Sequence, residues 1–199
     1  MMNSLLVATG NAGKMIELRA LLAGVPARLV APEDVNVDLE VIEDGSTYSA
    51  NALKKASAFA GASGLLTLAD DTGLEVEALD GAPGLRSRRY LPDPVASDAD
   101  RRAYLLQNLR GRPRPWFARF IAAVAIVSAQ GESRCVEGEC EGEIVPEERG
   151  LGGFGYDPIF LVRDTGMTMA ELDLETKNRL GHRGQAVSKA IPILLEFLH

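Results

Sequence analysis

The sequence predicts an α/β fold in which helices flank a mixed β-sheet that is divided into two lobes. Two observations support this class. Short apolar segments alternate with segments of helical periodicity, which is typical of strands connected by helices. Two longer strand-like segments, 117–129 and 133–145, meet at Gln130-Gly131 as in an antiparallel hairpin. We therefore expect one domain, with lobe 1 at about 1–96 and 147–199 and lobe 2 at about 97–146.

The first half of the chain carries most of the strand–helix alternation. The helix at 47–63 has the clearest pattern, because it is rich in Ala and places its apolar side chains on one face. An earlier helix runs through Met15 and Leu22 and stops at Gly24 and Pro26. The remaining assignments are strands at 5–8, 28–31, 65–69 and 73–79 and loops at 32–46 and 80–94.

The second half contains the hairpin and three further helices. Ser97 can cap a helix that ends at Leu109. Thr168 and Glu171 have the spacing of a capping box, which predicts a helix at about 170–180. The remaining assignments are a glycine-rich loop at 146–158, a strand that begins within 157–160, and a last helix at 183–198 with a kink at Pro192.

Composition and charge exclude several classes of protein. Asp and Glu outnumber Lys and Arg by 28 to 21, so the formal net charge is −7 and we expect no nucleic-acid partner. The longest apolar run, 120–129, is about half of the roughly 20 residues that a membrane span needs, so we expect no membrane partner. Cys135 and Cys140 are too few for a disulfide scaffold and favour a reducing, cytoplasmic location.

Residues 9–14, Thr-Gly-Asn-Ala-Gly-Lys, form the first candidate site, between a predicted strand and a predicted helix. A helix N-terminus presents unpaired N–H groups and a positive dipole end, which together bind anions. Lys14 adds a cation, so the segment is suited to phosphate. It is not a Walker motif, because its glycines are too close together and Met15 stands where Ser or Thr would hold Mg²⁺. An ordinary glycine-rich turn with an exposed Lys14 explains the pattern equally well.

Asp70 and Asp71 form the second candidate site, directly after the apolar segment 65–69. Carboxylates at a strand end commonly hold Mg²⁺ together with substrate phosphates, and Glu43 can complete this set. Neighbouring carboxylates also raise one another's pKa, which suits one of them to accept a proton from water. The alternative is an acidic turn that closes a hairpin, since Asp-Thr-Gly is common in turns. We favour the functional interpretation because two acids follow a buried strand.

Helix 47–63 contributes Asn51 and Lys55 to the same hypothesis. They lie four residues apart and therefore on one face of the helix, so both could reach the same oxyanion. The alternative is that Ser46 or Thr47 caps the helix and that its lysines lie on a solvated face.

The glycine-rich segment 150–158 could present an aromatic platform. It matches G-x-G-x-x-G, but a strand rather than a helix follows, so we reject dinucleotide binding. Phe154 could stack on a base and Asp157 could accept from ring N–H groups. His182 and Arg183 concentrate donors that could read a base carbonyl. The alternatives are a tight turn with core aromatics and a surface turn between helices.

The order of these motifs resembles the inosine triphosphate pyrophosphatase family, which hydrolyses non-standard purine nucleoside triphosphates. The resemblance covers the chain from about Val7 to Lys189. The segments that carry it are T-G-N-A-G-K, E-D-G-S-T-Y-S-A-N-A-L-K-K-A, A-D-D-T-G-L-E-V-E-A-L-D-G-A-P-G, A-R-F, G-F-G-Y-D-P-I-F, A-E-L and G-H-R-G-Q-A.

The resemblance implies a two-lobed mixed α/β fold with the active site in the cleft between the lobes, and a homodimer. It implies Mg²⁺-dependent hydrolysis of ITP, dITP and XTP to the monophosphate and pyrophosphate. Glu43 and Asp71 would bind the metal, with Asp71 as the proton acceptor and Glu40 as a weaker candidate than Glu43. The residues implied to bind substrate are Thr9, Gly10, Asn11, Ala12, Gly13, Lys14, Lys55, Thr72, Phe154, Gly155, Tyr156, Asp157, Lys177, His182 and Arg183.

Two other functions remain open from the sequence. One is a nucleotide pyrophosphatase that acts on other modified or standard triphosphates. The other is a nucleotide-binding module without catalysis, which would need the anion site but not Asp70 and Asp71.

Overall fold

A computed structural model describes residues 3–198. In this range it contains seven strands and five α-helices, and the predicted α/β class with a mixed sheet is confirmed. In chain order the elements are β1 (Ser4–Val7), α1 (Ala12–Leu21), β2 (Arg28–Val30), α2 (Tyr48–Ser63), β3 (Leu66–Val76), β4 (Pro83–Gly84), α3 (Asp98–Leu109), β5 (Trp116–Val127), β6 (Ser133–Ile144), β7 (Phe160–Val162), α4 (Leu174–Leu180) and α5 (His182–Leu198). No helix within 3–198 is long and apolar enough to cross a membrane.

The sheet combines parallel and antiparallel strand pairs, as predicted from the presence of both helical connections and a hairpin. Its strand order is β2-β1-β3-β5-β6-β7, with β4 paired to β3. β1 is parallel to β2 and to β3, where Leu5 pairs with Leu29 and with Leu66. β7 is antiparallel to β6, and Gly142 pairs with Val162. Helix α1 joins the parallel strands β1 and β2.

The chain divides into two compact units. Unit 1 comprises the chain up to Asp71, residues 122–138 and the chain from Arg183 onward, and unit 2 comprises 72–121 and 139–182. These bounds differ from those expected for the two lobes. The division falls inside β3, β5 and β6, because these strands are long enough to contribute residues to both units.

Each unit has its own apolar core. In unit 1, the helices α1 and α5 pack their apolar faces on the strands. Its fully buried members include Leu5, Leu18, Leu68, Val124 and Leu194. In unit 2, α3 packs on β3, β5 and β7, and the buried members include Leu74, Leu105, Leu109, Ile144 and Phe160. Burial of these apolar side chains is the main favourable contribution to the folding of both units.

Two of the predicted boundaries that differ from the structure affect the candidate site or the helices. Residues 66–76 form one continuous strand, so Asp70 and Asp71 lie inside β3 rather than in a turn after it. Helix α4 begins at Leu174 with Asp173 as its N-cap, so Thr168 and Glu171 do not cap it. The Thr168 N–H does donate to the Glu171 carboxylate at 2.7 Å, but within an irregular segment that precedes the helix.

Candidate active site

The turn between β1 and α1 has the strand–turn–helix geometry that the sequence predicts for an anion site. Asn11 caps α1 by accepting from the Lys14 N–H at 3.0 Å, and the Thr9 hydroxyl oxygen accepts from the Asn11 N–H at 3.2 Å. Gly10 is exposed and has open space where a Cβ would stand, so a ligand can approach its backbone. With Ala12 and Gly13 as its first residues, α1 directs the positive end of its dipole to this turn.

Lys14 and Arg183 both contact the carboxylate of Asp70 in the interior of unit 1. The Lys14 Nζ lies 3.2 Å from Asp70 Oδ2, and the Arg183 Nε donates to the same oxygen at 3.0 Å. Burial opposes ionisation of Asp70, but these two cations outweigh it and hold the pKa of Asp70 far below its ordinary value. Asp70 Oδ1 is buried and has no hydrogen-bond partner within 3–198. Lys14 and Arg183 therefore stabilise the ionised form of Asp70.

Arg183 is enclosed by two carboxylates. Its guanidinium also forms an ion pair with Glu17 of α1, and its side chain is only 2% exposed. Burial opposes the charge of Arg183, but Asp70 and Glu17 raise its pKa above the ordinary value. This arrangement favours a structural role for Arg183 over the expected contact with a base carbonyl.

Asp71 occupies a different environment from its neighbour Asp70. Its side chain accepts a hydrogen bond from Asn51 Nδ2 at 2.9 Å, and the residue is 7% exposed. Burial raises the pKa of Asp71; the hydrogen bond from Asn51 opposes this rise, and the charge of Glu43 adds to it. The carboxylate is thus more basic than an ordinary aspartate, as a group that accepts a proton from water should be.

Asn51 connects Asp71 to the segment that carries Glu43. While its Nδ2 donates to Asp71, its Oδ1 accepts from the Gly45 N–H at 2.7 Å. A Cβ at Gly45 would lie 2.7 Å from that same oxygen, so the close approach requires glycine. The sequence suggested an oxyanion contact for Asn51, but the structure gives it a positioning role.

Lys55 contacts both acidic segments of unit 1. Its Nζ donates to the Asp70 carbonyl oxygen at 3.0 Å and forms an ion pair with Glu43. The Lys55 side chain is 16% exposed and that of Glu43 is 28% exposed, so both remain accessible to a ligand. The predicted neighbours Glu43, Lys55 and Asp71 therefore all lie in one region of unit 1.

Glu43 and Asp71 are the two residues that the sequence predicts to bind a metal. Both are carboxylates, and Glu43 acts electrostatically on Asp71 to raise its pKa, a repulsion that a shared cation would relieve. No group of three or more His, Cys, Asp or Glu within 3–198 forms a complete metal cage. Two carboxylates suit Mg²⁺, which usually takes one or two from the protein and the rest of its oxygen ligands from substrate and water.

The predicted aromatic platform lies in unit 2, in the turn that precedes β7. The Phe154 N–H donates to Asp157 Oδ2 at 2.8 Å, and the Asp157 N–H donates back to the Phe154 carbonyl at 3.2 Å. A Cβ at Gly153 would collide with the Asp157 carboxylate, which explains the glycine there. The Phe154 ring is half-buried, so part of it is accessible for stacking.

Lys177 of α4 completes this turn. Its Nζ lies 2.5 Å from Asp157 Oδ2 and 5.0 Å from the centre of the Phe154 ring. The Lys177 and Asp157 side chains are 7% and 5% exposed, so this is a buried ion pair next to an aromatic face. Asp157 is thus engaged in holding the turn, in addition to any contact with a base.

The other predicted residues of unit 2 have mixed environments. Tyr156 is buried and its hydroxyl donates to the Ser87 carbonyl at 2.8 Å, so it is a core residue, as the alternative interpretation held. His182 is buried and stacks on Phe120 with ring centres 4.7 Å apart. Thr72 is half-buried in β3. Gly155 lies in the turn beside Phe154.

The sequence indicated no role for Glu17, and it did not reveal the partners that Asn51 and Asp70 take in unit 1. Asp70 and Asn51 stood in segments already singled out, so their positions were a usable signal. Glu17 gave none, because a single glutamate in an amphipathic helix usually lies on the solvated face, and its partner Arg183 is distant along the chain.

The amino-acid sequence is similar to those of known proteins over nearly its whole length. The sequence model of the Ham1 family matches residues 5–193. A protein of Geobacter sulfurreducens named dITP/XTP pyrophosphatase is 48% identical over 188 residues, which cover 94% of each chain. Another of that name, from Prochlorococcus marinus, is 48% identical over 98% of this chain and 93% of its own.

Solved structures agree with the sequence comparison. A HAM1 protein from Coxiella burnetii has a TM-score of 0.88 and 37% identity, and covers 98% of this chain and 100% of its own. The Staphylococcus aureus Ham1 protein has a TM-score of 0.85 and 32% identity with the same coverage. The resemblance noted from the motifs is therefore confirmed over nearly the whole length, and the chain belongs to the Ham1 family.

Proposed function

We propose that this protein hydrolyses the non-standard purine nucleoside triphosphates ITP, dITP and XTP to the nucleoside monophosphate and pyrophosphate. The observation that carries the proposal is Asp71, a buried carboxylate of raised pKa that lies with Glu43, Lys14 and Lys55 in unit 1. A base, anionic oxygen ligands and cations are the groups that hydrolysis of a phosphoanhydride requires. The name dITP/XTP pyrophosphatase of the relatives supports the choice of substrate.

The phosphate chain is assigned to unit 1. The N–H groups at the start of α1, together with Thr9 and Lys14, bind the phosphate oxygens, and Lys55 neutralises the departing pyrophosphate. Glu43 and Asp71 would hold Mg²⁺, which supplies positive charge to the triphosphate oxygens when bound. Asp71 accepts the proton from the attacking water, and Asn51 keeps its carboxylate oriented for this step.

The purine is assigned to residues of unit 2. Phe154 provides the surface for stacking, and Lys177 and His182 provide donors for the 6-oxo group of hypoxanthine and xanthine. Adenine carries a 6-amino donor at this position and would leave buried donors unpaired, which a buried site rejects strongly. Thr72, Gly155 and Asp157 complete the substrate-binding set.

We also propose that the protein acts in the cytoplasm as a homodimer. Two cysteines in the free thiol form fit a reducing compartment. The dimer is supported by the resemblance to the inosine triphosphate pyrophosphatases, and light scattering on the purified protein tests it: a mass near 21.3 kDa would contradict the dimer.

A substrate panel scored for released pyrophosphate tests the function. We expect release from ITP, dITP and XTP in the presence of Mg²⁺, at least tenfold slower release from ATP, and loss of activity with EDTA that added Mg²⁺ restores. Preference for a pyrimidine or a standard purine triphosphate would support the alternative pyrophosphatase. Nucleotide binding without any release would support the non-catalytic binding module.

A further inference from the structure

The backbone of Gly155 is held on both sides by one face of helix α3 within unit 2. Its N–H donates to Asp98 Oδ2 at 2.8 Å, and its carbonyl oxygen accepts from Arg102 Nη1 at 2.8 Å. Asp98 and Arg102 are four residues apart and so project from the same face of α3. Gly155 has φ +61°, a conformation that L side chains rarely adopt, and open space around its Cβ position. Its backbone geometry, rather than any lack of space, therefore requires glycine.

Glu148 fixes the direction in which Arg102 donates. The Arg102 Nε and Nη2 donate to the two oxygens of Glu148, each at 2.8 Å. This two-point pairing sets the plane of the guanidinium, and the remaining Nη1 then points at the Gly155 carbonyl. The Arg102 side chain is 12% exposed and that of Glu148 46%, so the pair lies at the surface with its arginine partly sheltered.

These bonds determine where Phe154 stands. In the peptide group that links Phe154 to Gly155, the N–H donates to the Asp98 carboxylate and the carbonyl oxygen accepts from the Asp157 N–H. The N–H of Phe154 itself is held by Asp157 Oδ2. With three successive backbone groups bound, the backbone at Phe154 and hence the direction of its Cα–Cβ bond are fixed before any ligand arrives, and such preorganisation strengthens binding by lowering the entropy lost.

We propose that α3 positions the purine-binding turn: Asp98 and Arg102 hold Gly155, Glu148 acts through Arg102, and together they orient Phe154 toward the base. The proposal rests on the proposed function, because it concerns the residues assigned there to the purine. None of the three touches the reacting atoms, so they are positioning residues rather than catalytic ones. They are expected to affect base binding and to leave phosphate binding alone.

The test separates base binding from phosphate binding in the same protein. For Arg102→Gln and Glu148→Gln we expect the KM for ITP to rise about fivefold to tenfold, the effect of losing roughly one hydrogen bond of ordinary net strength. The inhibition constant of inorganic tripolyphosphate, which has no base, should stay within twofold. Adding Glu148→Gln to Arg102→Gln should cause no further rise in KM, because Glu148 acts only through Arg102. Arg102→Lys, which keeps a cation but not the fork, should be intermediate.

Glu147→Gln is the matched control, since it removes the same charge from the adjacent exposed residue. An unchanged KM for ITP in both Arg102→Gln and Glu148→Gln would overturn the proposal. So would an equal rise in KM and in the tripolyphosphate constant, which would indicate general damage to the fold. Absence of ITP hydrolysis by the unaltered protein would overturn the proposed function instead; calorimetric titration of IMP into the same variants would then decide whether base binding is weakened.

Discussion

Two neighbouring carboxylates, Asp70 and Asp71, occupy opposite electrostatic environments. Successive residues of a strand project to opposite sides. Asp70 therefore contacts Lys14 and Arg183, whereas Asp71 accepts a hydrogen bond from Asn51. Burial and the charge of Glu43 raise the pKa of Asp71. The first is held ionised by cations, and the second is made more basic by burial and a like charge. One residue thus organises the positive charge of the site, and the other is suited to accept a proton.

Replacement of Asp71 by Asn tests the assignment of the base. Asn cannot accept a proton from water near neutral pH, so we expect kcat for ITP to fall by at least 100-fold while binding of ITP stays within a few-fold. Pyrophosphate release and calorimetric titration measure the two quantities. Asp38→Asn, a change at an exposed carboxylate, is the control and should keep both. A kcat near that of the unaltered protein would exclude Asp71 as the base.

Replacement of Arg183 by Ala tests its structural role. The change leaves Glu17 and Asp70 buried without their shared partner, and loss of one member of a buried ion network typically costs about 3–5 kcal/mol of unfolding free energy. Urea unfolding should register this loss. Arg179→Ala, at an exposed position of α4, should change stability by less than about 0.5 kcal/mol. Equal stability of the two variants would contradict the structural role.

The sequence could indicate which residues supply the charged groups of the site, but not which residues they contact. Lys14, Glu43 and Asp71 were identified because residue type and position relative to a strand or helix carry the information. The role of Arg183 could not be read in this way. Its carboxylate partners are brought to it by the packing of α1 and β3 in unit 1, and a single sequence does not reveal contacts across such separations.

At the scale of elements, strand β3 differs most from its prediction. Asp-Asp-Thr-Gly has poor strand propensity and good turn propensity, so residues 65–79 read as two short strands. In the structure the strand continues, because ladder bonds and ion pairs to Asp70 outweigh local preference. Strong local signals were reliable: Thr47 and Ser97 cap α2 and α3, and Gln130-Gly131 joins β5 to β6.

Two glycines in different elements should respond oppositely to replacement by Ala. Gly61 lies in helix α2 with open space at its Cβ position, so Gly61→Ala should add about 0.5–1 kcal/mol to the unfolding free energy. At Gly142 a Cβ would collide with the Leu161 carbonyl oxygen and approach the Phe160 ring, so Gly142→Ala should cost about 1–3 kcal/mol or more. Urea unfolding compares them, and stabilisation by Gly142→Ala would contradict the close approach of β7 to β6.

At the scale of the whole molecule, the acidic net charge does not oppose binding of an anionic substrate. The charge of −7 is spread over a surface that includes the exposed Glu137, Glu139 and Glu141 of β6. The cations assigned to phosphate, Lys14 and Lys55, are largely buried, so their local effect is screened less than that of surface charges. An acidic overall charge is therefore compatible with a local site for a nucleotide.

The extent of the two units was not predictable from the chain, because they divide within elements. Loops rich in Pro and Gly usually mark domain boundaries, and residues 97–146 are bounded by such segments. The units divide instead inside β3, β5 and β6, where no composition change occurs. Each of these strands contributes residues to both units, so unfolding of one unit would disrupt strands that the other unit also needs. We therefore expect the two units to unfold in one transition.

The two cysteines provide a probe of that cooperativity, since Cys135 lies in unit 1 and Cys140 in unit 2. Burial raises the pKa of the Cys140 thiol to about 11 and also raises that of Cys135. A higher pKa means that less of the thiol is present as thiolate at a given pH. At pH 8, Cys140 should therefore react with iodoacetamide about 100-fold more slowly than an ordinary thiol. Cys135 should also react more slowly than an ordinary thiol, but the difference should be smaller. The variants Cys135→Ser and Cys140→Ser each retain one thiol, whose labelling can be followed by mass spectrometry. As urea is increased, the labelling rate of the remaining thiol should reach that of a free thiol at the same urea concentration in both variants. Separate midpoints for the two thiols would mean that the units unfold independently despite their shared strands.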